Sequence, residues 1–146
     1  MWQNQSVAVH TRKKFVYFIP GIIWFLFITI LLLLPAKDLP GEDSFFAKIP
    51  HFDKIVHMGF FGGQVFWLFI FFVKKVETNS KSLFWITIIA CVYGVIIEFL
   101  QKYFAPGRSF DVFDMLFDAI GAFLAYFFVR WMIVLVHKKK QAIAER

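Results

Sequence analysis

Four apolar segments of about twenty residues, parted by short stretches that hold most of the charge, decide what this chain can fold into. Crossing about 30 Å of hydrocarbon takes roughly 20 mostly apolar residues, and the segments at about 15–34, 53–73, 83–101 and 112–136 each meet that length. With 60% hydrophobic and only 18% charged residues in a chain of 146, the composition is too apolar for a soluble core of that size. The expected fold is all-α: an integral membrane four-helix bundle forming one domain, with the lipid bilayer as its solvent.

The breaks between segments have local causes. Pro35 stands where the first helix should stop, and Pro40, Gly41 and Pro50 break the loop that follows, which carries the acids Asp38, Glu42 and Asp43. The first segment follows Arg12, Lys13 and Lys14, as a signal peptide also would. It is read as a span because its apolar run exceeds the usual signal length and Pro35, Ala36, Lys37 and Asp38 offer no small-residue cleavage site. Small residues recur at helical spacing, Gly59, Gly62 and Gly63 on the second segment and Gly121 and Ala125 on the fourth, which lets neighbouring backbones approach closely. No internal repeat is found, and the 22 phenylalanines suit lipid-facing positions rather than a cofactor box.

Charge sets the orientation. Ten Lys and Arg flank the segments on one side (leader, second turn and final tail) and five on the other, with Arg130 inside the last span. Because positive flanks stay cytoplasmic, both termini are expected on the cytoplasmic side. The net charge of +6 lies beside apolar runs, where it acts on topology and anionic lipid, so nucleic acid is not an expected partner. The single cysteine, Cys91, excludes an intrachain disulfide and reads as an inert buried thiol.

With this topology, three separate stretches deliver polar groups to the outer face. Asp53 and His57 are four apart at the head of the second segment, with Gln64 further down the same stripe. Glu98 and Gln101 end the third, with Cys91 and Gly94 continuing their stripe inward. Arg108 precedes the fourth, where Asp111, Asp114 and Asp118 follow helical spacing and Gly121 extends the stripe. A carboxylate at mid-bilayer costs about 2.5 to 3.5 kcal/mol and much less near the interface, so Asp118 and Glu98, the deepest, are the strongest candidates for an inward-facing site. Plainer roles stand beside this one: Asp53 and Asp111 as helix N-caps, His57 as a satisfied interior histidine, Arg108 as an ion-pair latch, Gln64 and Gln101 as interhelical hydrogen-bonding groups.

At these residues the chain resembles the VanZ-like family of small bacterial membrane proteins, named for a member associated with teicoplanin resistance. The resemblance lies in Asp53-Lys54 with His57, in Glu98 with Gln101, in the run Pro106-Gly107-Arg108-Ser109-Phe110-Asp111-Val112-Phe113-Asp114, and in Gly121. Asp118 stands where this family commonly has Asn, adding a charge. The resemblance implies a role in the cell envelope and an effect on glycopeptide susceptibility.

Three functions are weighed on this footing. The first is an outward-facing pocket for a polar lipid-linked or cell-wall ligand, with Arg108 as the anion-binding group and Asp53, His57, Glu98, Gln101, Asp111, Asp114 and Asp118 shaping the site. The second is an intramembrane enzyme acting on a lipid head group or wall precursor by acid–base or metal chemistry, for which His57, Glu98 and Asp114 are the candidate ligands; no His-Glu-x-x-His spacing is present and no Ser or Cys nucleophile neighbours the histidine. The third is a small proton-coupled transporter or assembly subunit, which with four short helices and no inverted repeat would require a homo-oligomer. The sequence leaves any cofactor unspecified.

Overall fold

Backbone groups that meet no water in a bilayer close their hydrogen bonds within the segment, so long apolar runs become helices. The computed structural model describes residues 19–39, 44–45, 48–73 and 80–145. It contains helices α1 (Ile19–Leu32), α2 (Phe52–Val73), α3 (Ser80–Phe104) and α4 (Val112–Ala144), a 3-10 turn at Ala36–Asp38, and no strand among the described residues. The basic leader, residues 15–18, Pro40, Gly41, Glu42, Asp43, Lys74, Lys75 and Arg146 lie outside the described residues, so the expectations placed on them are not addressed.

Two stretches, Lys81–Phe104 and Val112–Ala144, are long and apolar enough to cross a membrane, whereas the described α1 has 14 residues. α3 extends three residues beyond the expected segment at each end. The last helix departs further, continuing eight residues past 136, because Lys, Gln and Ala in the tail are good helix formers and nothing there breaks the ladder. Its 33 residues rise about 50 Å, more than the hydrocarbon thickness, so its basic end has length to spare.

α2 packs most extensively against α4. The small residues are the reason. A Cβ on Gly62 would lie 3.0 Å from the Gly121 carbonyl oxygen, and one on Gly121 would overlap the Met58 backbone, so the two helices touch main chain to main chain. Gly63 accepts the Trp24 ring, whose Nε1 donates to the Phe60 carbonyl at 3.0 Å and fastens α1 to α2. At the other end of α1, Ala36 N–H donates to the Pro106 carbonyl at 3.0 Å, and Gly107, at φ +82°, makes the turn that brings this loop in.

One part of the interior is apolar, with Val65, Phe69, Leu83, Ile86, Ala122 and Val129 buried together and Cys91 packed at the margin, half-buried rather than fully enclosed. Leu32, Phe61 and Ile97 form a second apolar layer. The remainder is polar: His57, Gln64, Glu98, Gln101, Asp114 and Asp118 are all buried, while Trp85, Ile89 and Phe127 stand outside at 62% exposure. A chain with carboxylates inside and large apolar side chains outside suits hydrocarbon better than water.

Candidate functional site

The heads of α2 and α4 meet beside the tail of α3, and a helix N-terminus favours nearby carboxylates. Asp111 is the N-cap of α4: its Oδ1 accepts from Phe113 N–H at 2.8 Å. Its own N–H donates to Glu98 Oε2 at 3.1 Å, so the α3 carboxylate also anchors the start of α4.

Lys54 joins these parts. Its Nζ donates to Asp53 at 3.2 Å, Asp111 at 2.8 Å and Asp114 at 2.9 Å, and its side chain is only 12% exposed. One internal cation therefore serves three acids from two helices. The ammonium against Asp111, helped by the Phe113 N–H, holds the Asp111 carboxyl below the usual carboxylate range. A lowered folded value contributes stability that is present above the ordinary Asp pKa of about 3.9 and is lost as pH falls through the lowered one. Thermal unfolding in detergent should thus lose stability as pH falls below about 4 more steeply in the wild type than in Asp111→Asn, which keeps the cap and removes the titration. Parallel pH profiles would refute this ion pair.

One turn deeper lies the second group. His57 Nδ1 is 2.9 Å from Asp118 Oδ1, its Nε2 is 3.9 Å from Asp114 Oδ2, and Glu98 Oε1 lies 4.0 Å from Nδ1. His57, Glu98 and Asp118 are at most 1% exposed. Gly94 makes this possible, since a Cβ there would sit 2.7 Å from Asp118 Oδ2. His57 Nε2, Glu98 Oε1 and Asp118 Oδ2 have no hydrogen-bond partner among the described residues. Single donor atoms from His57, Glu98 and Asp114 fall within 4.8 Å of one another, as do those of Asp53, Asp111 and Asp114, the trio that Lys54 occupies.

Beside the cluster opens a cavity of about 480 Å³, walled by Leu31, Leu32, Leu39, Ile49, Phe52, Val56 and Phe60, with Ser44, His51, Asp53, His57 and Arg108 as its polar groups. Arg108 forms no ion pair with a described residue. His51, just ahead of α2, has its backbone in the left-handed region at φ 56°, an uncommon conformation outside glycine.

Residues 2–135 match the family described as VanZ/LLP1. The chain belongs to that family. No curated protein and no solved structure matches it.

In this VanZ/LLP1 chain, the separated motifs Asp53-Lys54-x-x-His57, Glu98 and Asp111-x-x-Asp114 converge on one polar cluster, and Asp118 joins it through His57. Two plainer expectations are corrected. The α2 helix starts at Phe52, so Asp53 lies within its first turn and bonds Lys54 instead of capping. The latch across the helices is Lys54, not Arg108, because Lys54 emerges on the α2 face that meets α4. Gln101 takes its plainer role, an interhelical hydrogen bond: it donates to the Leu32 carbonyl at 2.8 Å, one of the unsatisfied carbonyls at the end of α1, and is not among the residues that line the cavity. Lys54, Ser44 and His51 were not singled out as site residues. Lys54 carried a usable signal, an interior-facing base beside Asp53 and one turn before His57.

Proposed function

We propose that this VanZ/LLP1 chain is a multi-pass protein of the bacterial cytoplasmic membrane, spanning it four times with both termini inside, and that its outward-facing cavity binds the anionic head group of a lipid-linked cell-wall ligand. The observation that carries this reading is the chemistry of the cavity. Of its five polar residues, His51, His57 and Arg108 are basic types and Asp53 alone is acidic, and Asp53 is held by Lys54. The remaining wall is apolar, which suits the tail of a lipid, and the volume falls within the range of small-ligand sites. Arg108 supplies a planar fork that matches phosphate or carboxylate in two parallel hydrogen bonds.

Purified protein in lipid nanodiscs should bind a polyprenyl phosphate saturably, and Arg108→Lys should weaken binding about tenfold or more while leaving the amount of protein in the membrane unchanged. Equal affinity in the variant would remove Arg108 from the reading, and no saturable binding by the wild type would end it. A ligand drawn from wall synthesis links the cavity to glycopeptide susceptibility, so Arg108→Lys cells should shift in teicoplanin tolerance in step with the lost affinity.

A further inference from the structure

We infer that His57, Glu98 and Asp114 form a site for a divalent transition-metal ion, with Asp118 holding the histidine in the ligating tautomer. His57 Nδ1 lies 2.9 Å from Asp118 Oδ1, and against an ionised Asp118 a neutral His57 carries its proton on Nδ1, which leaves the Nε2 lone pair available. Histidines that bind metals are commonly oriented in this way by a carboxylate on the other ring nitrogen. The free Nε2 lies 3.9 Å from Asp114 Oδ2, and metal–ligand bonds of about 2.1 Å set tetrahedral donors about 3.4 Å apart, so a shift of about 0.5 Å would bring this pair into register.

Two independent observations point to a cation here. His57 Nε2 and Glu98 Oε1 are buried and have no hydrogen-bond partner among the described residues, which is costly in an apolar interior. The neighbouring acidic trio is already served by the Lys54 ammonium, whose ion pairs are with Asp53, Asp111 and Asp114 and include neither Glu98 nor Asp118. Asp114 divides its oxygens accordingly, Oδ1 to Lys54 and Oδ2 towards His57. Among the described residues Glu98 and Asp118 thus have no basic partner other than His57, and Asp114 shares Lys54.

The donor set narrows the metal. One imidazole with two carboxylates suits zinc, manganese or iron(II) better than calcium or magnesium, which favour oxygen alone. Three protein ligands leave coordination positions for water or for an oxygen of an anion. His57 also forms part of the cavity wall, so the ion deepens the anion-pocket reading and rests on it only for the identity of that further ligand.

The test uses purified, untagged full-length protein in detergent, incubated with zinc or manganese, dialysed and measured by plasma mass spectrometry. The expected result is about one ion per chain, lost in His57→Ala and in Glu98→Gln, and held about 10–100-fold more weakly in Asp118→Asn. His137→Ala, a change at an exposed tail histidine, should bind as the wild type does. Wild-type protein without stoichiometric metal, or full occupancy in both His57→Ala and Glu98→Gln, would overturn the site. Should His57→Ala fail to fold, Glu98→Gln and Asp118→Asn, which change few atoms, decide by affinity. Metal bound in protein that does not bind polyprenyl phosphate keeps the ion and removes the anion pocket; phosphate binding by chain that takes up no metal removes the ion alone.

Discussion

Replacing Lys54 by methionine should strip most of the folded protein from the membrane, with a loss of roughly 3 kcal/mol and a fall in melting temperature of about 6–12 °C. The side chain is nearly enclosed and touches three carboxylates, of which Asp114 is 8% exposed. Methionine fills much of the same volume but leaves those acids without their cation, and an uncompensated buried charge costs more than the pair contributed. The expected loss sits at the low end of the range for buried pairs because Asp53 is 56% exposed and water can serve it. Lys54→Arg should retain part of the stability. Adding Asp114→Asn to Lys54→Met should recover some of what the single change loses, since it deletes the stranded charge, and that non-additivity is the signature of a direct pair. Membrane abundance and thermal unfolding of the four proteins measure this. A Lys54→Met protein that melts with the wild type would show that the acids need no internal cation.

Lys54 also marks where sequence reading reached its limit. The membrane pattern was legible because apolar run length is a one-dimensional property, and Glu98, Asp114 and Asp118 stood out because charge within such runs is rare. Their meeting at one end followed from counting helices. What spacing along one helix does not report is which partner a side chain meets on another. Lys54 was weighed as a topology signal, and only the packing of α2 on α4 brings its Nζ between Asp111 and Asp114. Gln101 shows the converse: it shares a helical stripe with Glu98, yet a three-residue offset turns its amide to the end of α1. The long tail of α4 was hidden for a different reason, since polar helix formers carry no apolar stripe to read.

The main-chain contact between α2 and α4 at Gly121 makes the second large prediction. Gly121→Ala should disrupt the bundle, while Gly59→Ala, on the same helix as Gly62 and Gly63, should be tolerated. A methyl on Gly121 would overlap the Met58 carbonyl and come within 2.8 Å of Met58 Cα, and backbone cannot swing aside as a side chain can. At Gly59 the added methyl meets nothing within 4 Å. Overpacking costs typically about 1–3 kcal/mol, and the upper end applies where the obstacle is main chain, so Gly121→Ala should lower the melting temperature by about 6–12 °C. Gly59→Ala gains up to about 1 kcal/mol of helix propensity and should melt at or above the wild type. The pair also tests how the site is held. Met58 follows His57 on α2, and Gly121 lies one turn after Asp118 on α4. A wedge between them pushes apart the helices that carry the 2.9 Å His57–Asp118 hydrogen bond. Any Gly121→Ala protein that does reach the membrane should therefore have lost metal and anion binding together, whereas Gly59→Ala should keep both. Intact metal binding in folded Gly121→Ala would mean that the polar cluster is fixed by its own hydrogen bonds and not by this helix contact.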